Sequence, residues 1–522
     1  MSNVFIDEDF VAVYSQPKKD ARRRVTLAFG DEIEVLEKQG KWTKIRVFNY
    51  FDQTFQGWVK GEPRVRETGV LRFSMLDVQQ GDGMVLETPG GKVVFIDGGD
   101  NKLFARHVAA RYRDRHTSSQ NPLDVDAIIV THGDADHFDG LNEIRRSETY
   151  KGAKKRKSLF IRPRRVFHNG LVKGPSKVSG KSVSDVKRFG RTVKKGETTY
   201  AVDLYDDPRE APASKQNRPF KAWAASLDRW EKHGPIEFRR VAHGMDANEI
   251  FDFLHDEGIT IEIQGPFTSE VTAANGMKVD GLPFLHRPAK SALMHLEAGD
   301  TGTGLSASHT INGHSIALRL TYKNVRFNLT GDLNAEAMNL MKNKIGESEL
   351  EAEIVKAPHH GSHDFDFWAL KKMRPVAAII SSGDEMVSKE HIHPRATLMS
   401  ALGKVMRHET GVVFCTELAA FFAIKDYCYT RDDLAKYFKK RKDRSFTGEE
   451  LRKLFSGVPK DEDPEGMFFG FERTNFGVIH VRTDGKRVLI YTHSGKKHHN
   501  EAYRFEVTKT HKAKFSRNLE MR

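Results

Sequence analysis

Cysteines and long apolar runs are scarce in this chain. Two cysteines, Cys415 and Cys428, occur in 522 residues, which excludes a framework of several disulfides. No stretch approaches the roughly 20 consecutive apolar residues of a membrane-spanning helix, and the N-terminal segment lacks the basic and apolar regions of a secretory signal. We therefore expect a cytoplasmic protein that does not insert into membranes.

Acidic residues are in deficit, and the formal net charge is +13. The excess is concentrated between Arg145 and Lys195, where 18 lysines and arginines face two acids. Such a stretch is typical of a surface that binds a polyanion, although a solvated loop would have the same composition. Because the stretch directly follows the motif described next, nucleic acid or another phosphate-rich substrate is favoured.

The segment Thr131–Gly140 (THGDADHFDG) gathers side chains that bind metal ions. It follows Ala127–Val130, an apolar run that predicts a buried strand. A strand end with a glycine-containing turn can direct several side chains into one small volume, where divalent ions relieve the cost of burying them. An ordinary hydrogen-bonded turn is the alternative, but it accounts poorly for two imidazoles and two carboxylates in six residues. These are His132, Asp134, Asp136 and His137.

Four further segments end apolar runs in the same way. Each places Asp or His beside a glycine that allows the backbone to turn tightly. One such segment alone would indicate only a turn, whereas all of them in this order indicate a site. They are Leu76–Asp82 (LDVQQGD), Ile96–Asp100 (IDGGD), Leu329–Asp332 (LTGD) and Ala357–Ser362 (APHHGS).

With these motifs, the chain from about Leu71 to Lys496 resembles the metallo-β-lactamase fold superfamily. More narrowly, it is similar to the soluble hydrolase domain of ComEC-type DNA-uptake proteins. The narrower similarity is carried by LDVQQGD, by Asp134 in place of a usual second histidine, by NGHSIAL at Asn312–Leu318, by HHGS and by HPRATL. The resemblance implies an α/β (α+β) fold, the αββα sandwich, with two mixed sheets face to face and helices outside.

The resemblance also implies a two-ion site. His132 and Asp134 would bind the first ion, Asp136 and His137 the second, and Asp332 would bridge them. One of two adjacent histidines would complete the set, His360 being favoured over His359.

Further residues would support these ligands. His393 would contact a scissile phosphate or complete a ligand shell, and Asp97 would hold the ligand loop from beneath. Lys356 would neutralise developing charge near the ions, unless it is a surface lysine. A ligand histidine usually precedes the strand that leads to LTGD, and the sequence does not decide between His309, His314 and neither.

Asp in place of His makes the first position harder, which favours Mn²⁺ or Mg²⁺, although Zn²⁺ competes well on affinity. Two ions can polarise a phosphoryl oxygen and lower the pKa of a bridging water. We therefore expect a metal-dependent phosphodiesterase or nuclease, with DNA favoured, in which Asp136, Asp332, Lys356 and His393 act in catalysis.

Substrate contacts are expected within the basic stretch, from Arg162, Arg164 and Arg165 beside two phenylalanines and from His168, for which a structural role is the alternative. Three other functions stay open. One is hydrolysis of a small phosphodiester or nucleotide signal. Another is lactam or thioester hydrolysis, which Asp134 disfavours. The last is a scaffold with a vestigial site, which the intact ligand run disfavours.

The predicted domains are a small Src-homology-3-like β-barrel at residues 1–66, the hydrolase domain at 69–500 and a basic tail at 501–522. The barrel is indicated by Gly30-Asp31, Trp42 and Gly57–Val59, and it would dock a protein partner or serve only in packing. The hydrolase domain is expected to carry a long basic insertion at about 145–305 and a helical one at about 430–458. An effector in bacterial conflict or phage defence would have this architecture.

Overall fold

The computed structural model describes residues 3–50, 53–287, 304–383, 393–407, 411–417, 447, 477–493, 500–516 and 519–521. The predicted helical insertion at 430–458 lies outside these residues, apart from position 447. None of the described helices is both long and apolar enough to cross a membrane.

The N-terminal strands form one curled sheet in the order β3-β2-β6-β5-β4-β1-β7. These strands are β1 (Val4–Ile6), β2 (Phe10–Tyr14), β3 (Arg23–Ala28), β4 (Glu32–Gln39), β5 (Trp42–Tyr50), β6 (Gln53–Lys60) and β7 (Val65–Arg66). Alternate apolar residues such as Val13, Ile33 and Ile45 point into a common core. The small β-barrel that the sequence predicts is thus confirmed.

The remaining elements build the second domain. The described strands are β8 (Leu71–Met75), β9 (Gly83–Glu87), β10 (Val93–Asp97), β11 (Leu123–Val125), β12 (Ala127–Ile129), β13 (Ile161–Pro163), β14 (Arg165–His168), β15 (Lys177–Val178), β16 (Lys181–Ser182), β17 (Thr192–Lys195), β18 (Thr198–Ala201), β19 (Glu237–Arg240), β20 (Ile259–Gly265), β21 (Ser269–Thr272), β22 (Lys278–Pro283), β23 (His286–Arg287), β24 (Gly304–Leu305), β25 (Ala317–Tyr322), β26 (Val325–Leu329), β27 (Ile354–Lys356), β28 (Ala377–Ile380), β29 (Val412–Cys415), β30 (Val478–Thr483), β31 (Arg487–His493), β32 (Asn500–Val507), β33 (Ala513–Phe515) and β34 (Leu519–Met521). The described α-helices are α1 (Leu103–Arg111), α2 (Ala135–Ser147), α3 (Arg218–Glu231), α4 (Ala247–Ile250), α5 (Ala307–Gly313), α6 (Ala335–Met341), α7 (Glu347–Leu350), α8 (Phe367–Met373) and α9 (Ala396–Val405).

Two sheets of this domain lie face to face. The first has the order β19-β14-β12-β10-β9-β8-β30-β31-β32-β33, with β34 on β32, and the second has the order β20-β25-β26-β27-β28-β29. The main apolar core lies between them, where Phe73 packs on Phe327. Helices α1, α2 and α3 cover the outside of the first sheet, and α6, α8 and α9 cover the outside of the second. The predicted αββα sandwich is confirmed.

Strand direction brings the predicted ligands to one edge. In the first sheet β10, β12 and β14 are parallel, and in the second β26, β27 and β28 are parallel. The carboxyl ends of parallel strands meet at the same edge of a sheet. The segments that follow β12, β26 and β27 are those that contain His132, Asp332 and His360.

Two of the expected segments include strands of the sandwich. The supposed insertion at 145–305 contains β14, β19 and β20, which are integral strands of the two sheets. The supposed tail at 501–522 contains most of β32, which pairs with β31. Both regions carry apolar residues, such as Phe167 of β14 and Phe505 of β32, that are buried within the sandwich, and this pattern outweighs their charge.

A smaller antiparallel sheet, β17-β18-β22-β21, lies outside the sandwich. It packs through Phe189, Leu282 and Phe284 against Ile311 of α5. We call this unit the small sheet. Because α5 also borders the ligand cluster described next, the small sheet lies on the side of the domain that carries the cluster.

Candidate metal centre

Four histidine side chains converge on one carboxylate oxygen of Asp332. The Nε2 atoms of His360 and His137 lie 3.0 and 3.2 Å from Asp332 Oδ2, and those of His359 and His132 lie 3.8 and 4.0 Å from it. Asp332 is almost completely buried. The predicted bridging carboxylate therefore lies at the centre of the predicted histidines.

Several combinations of these side chains place their ligand atoms within 4.8 Å of one another. Among the described residues, the sets are His132-His137-Asp332, Asp136-His137-His360, Asp82-Asp332-His360 and Asp82-Asp97-His137. His360 belongs to two of them and His359 to none, which agrees with the preference for His360 from the sequence. The same region thus offers more than one position for a cation.

The donor atoms suit a divalent ion. His137 Nε2, His360 Nε2 and Asp332 Oδ1 are buried and make no hydrogen bond of good geometry within the described part of the chain. Buried polar atoms whose contacts are poorly directed are costly, and imidazole nitrogen with carboxylate oxygen is a set that Zn²⁺ and Mn²⁺ accept. The residues present therefore fit the metal that the sequence predicts.

Asp97 lies beneath the ligand loop, where the sequence places it. Its Oδ2 accepts a hydrogen bond from His137 Nδ1 at 2.8 Å and one from Thr131 Oγ1 at 2.6 Å, and its Oδ1 accepts one from the Thr131 amide at 2.8 Å. A proton held on Nδ1 leaves Nε2 of His137 as the atom that faces Asp332.

Lys356 and Asp82 form a fully buried ion pair behind the cluster. Lys356 Nζ lies 2.5 Å from Asp82 Oδ2, donates to Gly331 O at 2.6 Å and lies 3.6 Å from Asp332 Oδ1. Burial alone would lower the pKa of Lys356, but the charges of Asp82 and Asp332 outweigh it and raise that pKa. The alternative of a surface lysine is thus wrong.

Asp82 was missed as a site residue by the reasoning from sequence. It ends the LDVQQGD motif, and its Oδ1 lies 3.2 Å from His360 Nδ1. The available signal was an aspartate between two glycines, Gly81 and Gly83, after an apolar strand. Gly81 has φ +95°, and a Cβ there would lie 1.7 Å from the carbonyl oxygen of Asp136, so only glycine allows this approach.

Asp134 has a different partner from the one predicted. Its carboxylate forms an ion pair with Lys173 Nζ, which also donates to Ser308 Oγ at 3.1 Å. The Lys173 side chain is 8% exposed. Asp134 is in none of the ligand sets found among the described residues, and no sequence pattern pointed to Lys173.

Of the other histidines named from the sequence, His393 lies next to the cluster and His314 does not take part in it. His393 lies beside the cluster, its ring centroid 6.1 Å from that of His359 and 6.4 Å from that of His360. His314 Nε2 donates to Pro283 O at 2.7 Å, and burial lowers the His314 pKa to about 4, so this side chain is structural.

The two remaining histidines also make structural contacts. His309 faces the carboxylates of Glu336 and Asp364 at 3.8 and 3.5 Å. His168 Nε2 donates to Asp206 O at 2.6 Å. His309 is in none of the ligand sets among the described residues. The hydrogen bond of His168 supports a structural role for that side chain.

The predicted substrate arginines do not meet the cluster. Arg162 and Arg164 pair with Asp124, and the guanidinium of Arg165 lies over Phe253. Arg165 begins β14, whereas the cluster lies beyond the carboxyl ends of the parallel strands. These arginines are therefore at the wrong end of the sheet to contact a substrate at the ions, which corrects that assignment.

The protonation of the cluster gives a pH prediction. Burial lowers the pKa of His360, but the charges of Asp332 and Asp82 outweigh it and raise that pKa to about 9 from its ordinary 6.5. A raised pKa stabilises the metal-free fold below about pH 6.5, and this stabilisation is lost as pH rises towards 9. We expect the melting temperature of chelator-treated protein to fall across this window.

Metal ions require the neutral imidazole, so the stabilisation by a fixed Mn²⁺ concentration should grow across the same window. Thermal melts with chelator and with Mn²⁺ between pH 6.5 and 8.5 measure both trends. An unchanged Mn²⁺ effect would contradict ligation by His360.

Comparison with known families agrees with this geometry. Residues 76–215 match the family model described as the metallo-beta-lactamase superfamily, and residues 9–62 match the bacterial SH3 domain. The chain therefore has a bacterial SH3 domain at its N-terminal side, followed along the sequence by a metallo-β-lactamase superfamily domain. No curated protein matches the chain. The narrower resemblance to ComEC-type domains stays a prediction.

The superfamily match and the His/Asp cluster together support a metal-dependent hydrolase. The SH3 domain is a kind of module that binds proteins or other ligands. Here hydrogen bonds join it to the metallo-β-lactamase domain. Arg482 donates to Phe29 O and Asp31, both at 2.8 Å, and Arg504 donates to Asp9 at 2.7 Å.

Proposed function

We propose that the protein is a metal-dependent phosphodiesterase that cleaves nucleic acid, with DNA as the favoured substrate. The observation that carries this proposal is an almost fully buried ligand cluster with two side chains at its mouth. Asp136 and His359 are each 25% exposed, whereas His132, His137 and Asp332 are almost inaccessible. A phosphate group can approach the cluster from the side of Asp136 and His359.

Each ligand has a proposed place. Asp136, His137, His360 and Asp332 would hold one ion, and His132 and Asp332 would hold a second, together with Asp134 once it leaves Lys173. Mn²⁺ and Zn²⁺ both suit the set, and Mg²⁺ is a third option. When bound, such ions polarise a phosphoryl oxygen and lower the pKa of a coordinated water.

The surrounding residues position these ligands. Asp97 keeps the Nδ1 proton of His137 in place, and Asp82 lies against the Nδ1 atom of His360. Lys356 balances the charge of Asp82 and Asp332. His393, whose ring lies near those of His359 and His360, is the residue we propose to contact the scissile phosphate.

In this proposal Lys173 competes with the second ion for Asp134, which predicts how the affinity for that ion changes when Lys173 is replaced. Replacing Lys173 by alanine should strengthen binding of the second ion, about tenfold or more, because the carboxylate becomes available. Calorimetric Mn²⁺ titration of wild type and variant measures the two steps, with the exposed Lys177→Ala as control. An unchanged second step would show that Asp134 is not a ligand.

The small sheet carries two adjacent exposed lysines. Lys194 and Lys195 on β17 are exposed, and they share this unit with the residues that pack on α5. A second basic run, Gly152–Lys157, is exposed from Gly152 to Arg156 and follows the far end of α2. Since α2 begins beside Asp136 and has 13 residues, that run lies about 20 Å away from the cluster along the helix.

This arrangement predicts unequal effects on DNA binding. Replacing Lys194 and Lys195 by alanine should weaken binding and reduce the slope of log affinity against log salt by about 1 to 2, through lost counterion release. The matched change, Lys155→Ala with Arg156→Ala, should have a smaller effect. Fluorescence anisotropy of labelled DNA with chelator present measures both. Equal losses from the two variants would contradict substrate binding along the small sheet.

A substrate panel tests the function itself. Wild type and Asp136→Ala should be assayed with Mn²⁺ on linear DNA, RNA and a generic phosphate bis-ester. We expect DNA cleavage by wild type only. Activity on the bis-ester without nucleic-acid cleavage would instead identify a small phosphodiester as substrate, and metal-independent cleavage by both proteins would refute the proposal.

A further inference from the structure

A cavity lies between the SH3 domain and the outer face of the first sheet. Its volume is about 90 Å³, room for about three water molecules. Strands β8, β9, β30 and β31 form its floor, α1 one wall and β3 the other. The charged and imidazole side chains that line it are Asp31, Arg72, Glu87, His107, Arg111, His480, Arg482 and His493.

Cationic groups outnumber carboxylates in this lining. Arg111 donates to both oxygens of Glu87 at 3.0 and 2.9 Å, and Arg72 Nε lies 3.5 Å from the same carboxylate. Arg482 Nη1 donates to Asp31 Oδ1 at 2.8 Å. Among the described lining residues, three guanidinium groups therefore share two carboxylates.

The sheet register increases this imbalance. Arg72 and Arg482 are directly opposite each other on β8 and β30, and like charges in that position destabilise a sheet. Burial, together with the charges of Arg111 and Arg482, lowers the pKa of Arg72 despite its contact with Glu87. Burial also lowers the pKa of His107 to about 4, so this imidazole adds no charge near pH 7.

We propose that this cavity binds a phosphate group, either as free phosphate or as the phosphate of a small nucleotide, between Arg72 and Arg111. The side chains of these two arginines retain 22% and 23% exposure, so their guanidinium groups can accept a further anion. Guanidinium groups bind phosphate oxygens through paired, charge-assisted hydrogen bonds. This site is independent of the proposed catalytic function, because it lies on the opposite face of the first sheet from the central core.

Calorimetry of the full chain tests this proposal, in excess chelator so that phosphate does not bind through metal ions. The probes are inorganic phosphate and AMP, with chloride at matched ionic strength as the comparison. We expect saturable binding of phosphate, AMP or both, and weakening of about tenfold or more in Arg72→Met, because hydrogen bonds to charged groups are strong. Phosphate binding without AMP binding would assign the site to the free ion, and AMP binding alone to the nucleotide.

Arg487→Met is the matched control, since Arg487 lies on β31 and bonds to Asp7 outside the cavity lining. It should bind as wild type does. If Arg72→Met does not fold, Arg111→Met provides the same comparison. Absence of binding beyond the chloride effect in wild type, or equal binding by wild type and the folded arginine variants, would overturn the proposal.

Discussion

Asp332→Asn is expected to abolish hydrolysis, with a loss of about a thousandfold or more, because ions at this cluster supply most of the charge stabilisation. Asp332 Oδ2 is the atom on which the Nε2 atoms of four histidines converge, two of them within 3.2 Å. Asparagine has the same shape but no charge, so the variant should retain the fold and lose its affinity for ions. Initial rates with Mn²⁺ on the preferred substrate measure the effect.

Asp139→Asn is the matched control for this experiment. Asp139 lies on α2 three residues after Asp136, accepts a hydrogen bond from Asn142, and belongs to none of the ligand sets among the described residues. It should keep near wild-type activity. Activity of Asp332→Asn within a few-fold of wild type would show that the reaction does not depend on this carboxylate.

Lys356→Met is expected to lower the free energy of unfolding by about 3–5 kcal/mol, the largest loss of stability that we predict for a single substitution. Removing one member of a buried ion pair leaves the other charge without compensation, and here both Lys356 and Asp82 are fully buried. Methionine keeps most of the volume of lysine, so lost packing contributes little. Urea unfolding of chelator-treated protein measures the change.

The double variant Asp82→Asn with Lys356→Met separates the two explanations for such a loss. If the uncompensated carboxylate is responsible, the double variant should be more stable than Lys356→Met alone. A double variant whose loss equals the sum of the two single losses would mean that Lys356 stabilises the fold independently of Asp82.

The candidate site was largely predictable because metal ligation requires particular side chains at strand ends. The run from His132 to His137, Asp332 in LTGD and the histidine pair His359-His360 each follow an apolar strand, and parallel strands bring those ends together. The αββα sandwich was implied by the resemblance of these motifs to the metallo-β-lactamase fold superfamily, because the order of the strands within the two sheets differs from their order along the chain.

Other features depend on contacts that sequence spacing does not encode. Lys173 is 39 positions from Asp134, and nothing local marks their pairing. The arginines around Arg165 were assigned to the substrate from their charge, but which end of β14 they occupy depends on strand direction. The basic residues after position 507 likewise concealed the strand at 501–507, which pairs with β31 and buries Phe505.

The metal content of the purified protein tests the central claim most directly. Wild type and Asp332→Asn, loaded with Mn²⁺ or Zn²⁺ and then dialysed, should be measured by elemental analysis against protein concentration. We predict at least about one ion retained per wild-type chain and a large loss in the variant, as expected of ligands already gathered in the fold. Wild-type protein that retains no ion, or a variant that retains as much as wild type, would contradict a metal centre at this cluster.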